Sequence, residues 1–361
     1  MFTRTVLLTI ILICPATYAQ SQVDTPRLDP TPSTGQQALL IREGVSQHDR
    51  GNYDAAIKRY EEVLSENPHN VEALYELSFA YTMKNDFRKS LEVANKGAQY
   101  KSDMLPAFYL QIGNNLDHLG EPEKAIKVYK AGIKLRPRMA MLHYNLAVTY
   151  ANLGKLDDTI KTIKHAITID PDHPGSHALL AALWHGGRYK TPSLLAASRF
   201  LVLEPRTKRA TGLLQIVKEL MAGGVGQGAD PGKITIFMDT SAKKDEGDFG
   251  SIDLILGISK AANMTEKNKG KSEMQLLIRQ FETFLAVMSE QSDKADRNKF
   301  TWKFYSPYFA EMKQRNFVEP FVYYITQSDG KEETLKWLGA NKARVGDFLA
   351  WSKLYKWPQA D

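Results

Sequence analysis

Cysteine is almost absent from these 361 residues, Cys14 being the single one. Disulfide scaffolding and thiolate metal sites are therefore excluded from everything beyond the N-terminal segment. Histidine is also missing after His185, which rules out a histidine-based active site in the C-terminal region. The chain has no HExxH pair, no GxSxG elbow and no Walker loop. Catalytic residues, metal sites and cofactors are accordingly not expected. The excess of 47 basic over 41 acidic residues is small and spread out. Without a Lys/Arg stripe interleaved with aromatics, nucleic acid is not an expected partner.

The N-terminus differs from the rest. Arg4 is followed by the apolar run Val6 to Cys14 and then by Thr17-Tyr18-Ala19, the pattern of a bacterial-type secretory signal cleaved before Gln20. The run is too short to span a bilayer, which takes roughly 20 residues. Residues 1–19 are thus expected to be removed, giving an exported protein, periplasmic or secreted, with no membrane span in the mature chain. The polar, proline-bearing residues 20–36 read as a flexible linker.

From Gln37 the sequence repeats itself. Pro68, Pro137, Pro171 and Pro205 mark a period of 34 residues, with one extra residue in the first interval. Placing proline thirty-second in each unit gives starts at Gln37, Val71, Pro106, Ala140 and Pro174. The eighth place is then always small (Gly44, Ser78, Gly113, Ala147, Ala181), as is the twentieth (Ala56, Ser90, Ala125, Thr159, Ser193). Small residues let two helices approach closely, and Leu77, Ile112, Leu146 and Leu180 at the seventh place supply the apolar filling. Gly51, Gly120 and Gly154 fall between the two helices, where a left-handed turn is expected. Each unit reads as helix, turn, helix, stop.

The stretch Met141 to Pro171 resembles a tetratricopeptide repeat (TPR), and the resemblance covers residues 37–205. It implies an all-α fold: a right-handed superhelical solenoid of about five helix pairs whose first helices line a concave face that holds a partner's segment. An amphipathic helix at 206–222 reads as a cap. The inward places of the repeat supply the candidate partner-binding groove: Tyr75, Phe79, Met83, Asn114, Asp117, His118, Tyr144, Asn145, Val148 and Asn152. Asn114 and Asn145 can each donate to and accept from a peptide backbone. In chaperone-binding TPR domains such asparagines belong to a carboxylate clamp, but Leu110, Gly175 and Leu179 stand here where its cations belong. The groove is expected to suit an uncharged or weakly basic segment, with Asp117 facing a cation.

Residues 223–250 are expected to form a linker with one short strand at Ile234–Phe237. The glycine-rich run 223–232 reads as a hinge, because no strand precedes it as a phosphate loop requires. Residues 251–361 read as a mainly helical, aromatic-rich domain, with Pro307 interrupting one helix and 15 aromatics between Phe300 and Trp357. Most of these are expected in a core. This region faintly resembles the tails of uncharacterised exported bacterial TPR proteins, a likeness that supplies no activity.

The overall expectation is a non-enzymatic scaffold or adaptor for a protein or peptide partner, of unknown oligomeric state. The alternative is a hydrolase of unfamiliar type in the C-terminal domain, with Asp245, Glu246, Asp248 and Asp253 as candidates if they are not simply solvated. His173, His177 and His185 have ligand-like spacing but read as surface histidines. A third expectation is self-occlusion, with the aromatic C-terminal region docked into the chain's own concave face.

Overall fold

The computed structural model describes residues 26–223, 225–227, 234–236, 245–265, 268–292 and 295–358; the signal segment 1–19 lies outside them. The chain divides into two compact units between Lys124 and Ala125.

The first unit contains α1 (Gly35–Asp49), α2 (Tyr53–Glu66), α3 (Val71–Met83), α4 (Phe87–Gly97) and α5 (Leu105–His118). Short polar residues start three of these helices. Thr34 and Gln37 form a reciprocal capping box, the Asn70 side chain accepts from the Ala73 amide at 2.9 Å, and Asp86 accepts from the Lys89 amide at 3.3 Å. The small places do what their spacing implies. The Tyr60 ring lies so close to Gly44 that an added Cβ would meet it at 2.4 Å, and the Ser78 and Ser90 hydroxyls bond at 3.1 Å between α3 and α4. Leu40, Ile41, Ile57, Val63, Leu74 and Leu77 are buried beside them.

The fifteenth place of every unit is left-handed: Gly51 (φ 79°), Gly120 (φ 76°) and Gly154 (φ 69°), but also Asn85 (φ 62°) and Arg188 (φ 63°). The turn geometry is thus kept where glycine is not.

Residues 27–33, expected to belong to a flexible linker, are instead tied down. The Arg27 and Leu28 amides donate to the Gln99 carbonyl at 2.9 and 3.0 Å, and the Lys101 amide returns a bond to the Leu28 carbonyl at 2.8 Å. The Asn67 amide donates to the Thr31 and Pro32 carbonyls, while Asn70 donates to Ser33 at 2.7 Å. Buried Asn67 and Asn70 need these partners, which composition alone does not reveal.

Helix α6 (Pro122–Leu135) runs across the division, and the second unit continues with α7 (Ala140–Asn152), α8 (Leu156–Ile169), α9 (Pro174–Gly186), α10 (Lys190–Leu203) and α11 (Lys208–Ala222). Val225–Gln227 (β1) and Ile234–Ile236 (β2) form an antiparallel pair, so the expected hinge carries a second strand that its glycines had masked. Next come α12 (Gly250–Asn263), α13 (Glu273–Gln291), a π-helical turn (Thr301–Tyr305), α14 (Ser306–Gln314), α15 (Val318–Ile325), α16 (Glu332–Ala340) and α17 (Lys342–Leu354). Pro307 sits in the first turn of α14, just after the π turn, where its missing N–H costs little.

Every residue of α10 from Thr191 to Val202 is buried. Its sequence is mostly small and apolar, with Thr191, Ser193, Ser198 and Arg199 as the buried polar exceptions, and α9, α11, α12 and α15 pack against it. The C-terminal aromatics are core: Phe304, Tyr305, Tyr308, Phe309, Phe321 and Phe348 are all at most 1% exposed.

Candidate functional site

In a repeat helix packed on both flanks, only residues on the remaining face can meet a partner. In α7, Leu142, His143, Leu146, Ala147, Thr149 and Tyr150 are buried. Tyr144, Asn145 and Val148 are half-buried on the other face and Asn152 is exposed. The same division holds in the first unit: Tyr75, Phe79, Asn114 and Asp117 are half-buried, while Met83 and His118 are exposed. The ten candidate residues therefore occupy the open faces of α3, α5 and α7.

Several of these side chains are already positioned by neighbours. Phe79 stacks on His48 with ring centroids 4.8 Å apart, and Tyr75 meets Phe108 edge-on at 5.7 Å. His118 stacks on Phe87 at 4.2 Å. Tyr144 contacts the His173 ring at 4.5 Å and fills the space above Gly175, where a Cβ would come within 2.9 Å of its hydroxyl. Gly175, which stands where a carboxylate clamp would need a cation, is thus the seat of an aromatic ring.

Glu72 and Glu76, at the second and sixth places of their unit, are not among the ten candidates. Their i, i+4 spacing puts them on the face that carries Tyr75 and Phe79, which was the available signal. Burial raises the Glu76 carboxyl above its usual range, and the nearby Glu72 and Asp49 carboxylates add to the shift.

The histidines are mostly structural. His143 and His177 hold the same place in successive repeats, and each bonds through Nε2 to the carbonyl of the proline that closed the preceding unit, Pro137 at 2.8 Å and Pro171 at 2.9 Å. His177, expected at the surface, is fully buried, because its Nδ1 also meets the Tyr305 hydroxyl at 2.7 Å. His173 caps α9 by accepting from the Ser176 amide at 3.2 Å. Among the described residues, no group of three or more His, Cys, Asp or Glu side chains could hold a metal ion.

The acidic loop, expected to be solvated unless catalytic, ties the C-terminal region to the repeats. Buried Glu246 pairs with Lys164 of α8 and accepts from Thr301. Asp245 accepts from the Tyr189 hydroxyl at 2.9 Å, and Asp253 from Thr191 at 2.7 Å. Lys164 also lies over the Trp184 and Phe300 rings, 5.6 and 5.5 Å from their centroids.

The aromatic region does not fill the open face of the last hairpin. It packs on α10 and on the buried side of α9, where Tyr305 meets His177 and Trp184; Arg199 of α10, 1% exposed, reaches Asp172, bonds Ser352 at 3.0 Å and lies 4.9 Å from the Trp357 ring. On the inner side of α9, Ala178, Leu179 and His185 are half-buried and Ala182 is exposed. Helix α10 is buried along its length from Thr191 to Val202, whereas α9 keeps one face open.

Tandem antiparallel helical hairpins, with small residues at fixed places and one open face, define an α-helical repeat protein. Tetratricopeptide repeat models match residues 47–107 and 142–173, and a TPR repeat model matches 113–154. Residues 47–107 and 113–173 of the chain are thus tetratricopeptide repeats, in an all-α repeat fold. Over 117 residues it is 26% identical to a TPR repeat-containing protein of Methanocaldococcus jannaschii, covering 32% of this chain and 20% of that one. Over 120 residues it is 27% identical to the Hsp70-Hsp90 organizing protein of Triticum aestivum, covering 33% of this chain and 19% of the relative. The chain thus spans no more than a fifth of the length of these two curated relatives. Among solved structures, a thermophilic TPR protein of Thermus thermophilus aligns over 50% of this chain and 99% of its own, with 24% identity and a TM-score of 0.44. Among the described residues, no helix is long and apolar enough to cross a membrane.

Proposed function

We propose that this chain is an exported adaptor that holds a peptide or a segment of a protein partner against the open faces of its repeat helices. A tetratricopeptide-repeat fold supports a protein–protein interaction scaffold, and the wheat relative is named for organizing two other proteins. The observation that carries the finer reading is the segregation within α7: six residues are buried while Tyr144, Asn145, Val148 and Asn152 stay accessible. An aromatic ring beside amides suits an extended backbone, because the ring covers apolar area while the amides both donate and accept.

The experiment is affinity capture of partners by the full chain, compared with Tyr144→Ala/Asn145→Ala and with Tyr75→Ala/Asn114→Ala. Loss of the same captured protein in these variants, with helicity unchanged, is expected; equal capture by all of them would remove the open faces from consideration. Export is supported by the Arg4, Val6–Cys14 and Thr17-Tyr18-Ala19 pattern. It is tested by expressing the full reading frame in a bacterium and sequencing the N-terminus of the exported fraction, which should begin at Gln20.

A further inference from the structure

In the first unit, most carboxylates on the flanks of the hairpins have partners. Arg59 pairs with Glu43 and Glu62, Lys84 with Asp54, and Glu61 accepts from Tyr81. On the open face of α3 the pattern breaks, since no lysine or arginine among the described residues pairs with Glu72 or Glu76. Next to them, two polar atoms are buried without a hydrogen-bond partner in the protein: the Tyr60 hydroxyl and His48 Nε2. Tyr60 is 0% exposed. Its phenol reaches past Gly44 toward α3, close enough to Glu76 and Asp49 that both carboxylates, added to burial, raise it above its ordinary value. The Phe79 ring stacks on His48, and half-buried Tyr75 lies one turn away.

Buried polar atoms are almost always bonded. Here an unpaired carboxylate pair, two buried polar atoms without a partner and the Phe79 and Tyr75 rings lie on one hairpin pair. A single group satisfies them all: a cation with several N–H donors and an alkyl stem, bonded to the carboxylates, the phenol oxygen and the imidazole and covered by the rings.

We propose that the open face spanning α1 to α3 receives a lysine or arginine side chain of a linear partner segment, its cation held by Glu72 and Glu76 with Tyr60 and His48 beneath. This rests on the reading of the open faces as the partner-binding surface. The whole chain carries a formal net charge of +6, so bulk attraction does not favour a basic peptide and a preference for one must be local.

The test is fluorescence anisotropy of the full chain with two labelled octapeptides, one alternating lysine with alanine and the other carrying glutamine in place of lysine. The lysine peptide is expected to bind at least tenfold tighter, and to weaken as salt rises. Glu72→Gln/Glu76→Gln should lose about tenfold for the lysine peptide, about 1.4 kcal/mol, with no change for the glutamine peptide. Tyr60→Phe should lose roughly threefold, the size of one modest hydrogen bond. Thermal melting should be unchanged or raised in both variants, because each change removes repulsion or an unbonded buried group, so lost binding would not report unfolding. Equal affinity of wild type and the double variant for the lysine peptide, or no binding of that peptide, overturns the proposal. Glutamine-peptide binding that is lost in Tyr144→Ala/Asn145→Ala would in that case leave the open-face reading standing.

Discussion

The imidazole of His177 and the hydroxyl of Tyr305 lie 2.7 Å apart, both fully buried, and join the last hairpin to the C-terminal helices across 128 residues of sequence. Tyr305→Phe leaves Nδ1 of the histidine in apolar surroundings with nothing to bond. The expected loss is about 1–3 kcal/mol, the cost of a buried group deprived of its partner. Tryptophan fluorescence during urea unfolding would measure it, since Trp184 packs at 6.3 Å from Tyr305.

The same histidine makes stability sensitive to acid. Burial, chiefly, and the neighbouring Arg199 charge lower its pKa to about 3, whereas the unfolded chain takes up the proton near its usual value of about 6.5. Its folded pKa is depressed, so the unfolded state binds more protons between the two values and stability falls as the pH drops through this window. The slope attributable to His177 is about 1.4 kcal/mol per pH unit. Burial also lowers His143, His165 and His173, and they add to acid sensitivity in the same direction. Comparing urea midpoints of wild type and His177→Asn from pH 7 to 4 isolates the contribution: the difference between them should shrink or reverse as the pH falls.

Gly97 of α4 faces the Phe108 ring of α5, and a Cβ there would sit 2.1 Å from the ring. Gly97→Ala should cost about 1–3 kcal/mol through overpacking. Adding Phe108→Leu should recover part of the loss. A double-mutant cycle on thermal unfolding by circular dichroism gives the coupling, and additive effects would disprove the close approach.

At the left-handed fifteenth place, Gly154→Ala should cost about 1 kcal/mol, since a Cβ is unfavourable at φ 69° and the site is otherwise open. Asn85→Gly, at φ 62°, should be stabilising or neutral within a few tenths of a kcal/mol, because asparagine tolerates this conformation better than other side chains. Melting temperatures of the two variants, moving in opposite directions or with only the first moving, test this.

The repeats were legible because their physics is local and periodic. Closely packed antiparallel helices need a small residue at the eighth and twentieth places, and Ala56, Ser78, Ser90, Ala147, Thr159, Ala181 and Ser193 are indeed fully buried. The left-handed turn was legible only at glycine; Asn85 and Arg188 adopt it because the packed helices on either side fix the chain reversal regardless of residue. The candidate face was read in part. Tyr75, Phe79, Asn114, Tyr144 and Asn145 lie where the period puts them, but Glu76 was passed over because its character comes from burial beside Glu72 and Asp49.

The sequence by itself determined the 34-residue beat, the helix pairs and the accessible faces, since each follows from contacts within one or two repeats. Only the tertiary structure decided where the C-terminal aromatics go and what the charged loop does. Those contacts, such as His177 with Tyr305, Lys164 with Glu246 and Arg199 with Ser352, join residues separated by 82 to 153 positions. No local pattern encodes such pairs, because each side chain acquires its role when the low-dielectric interior forces it to find a partner.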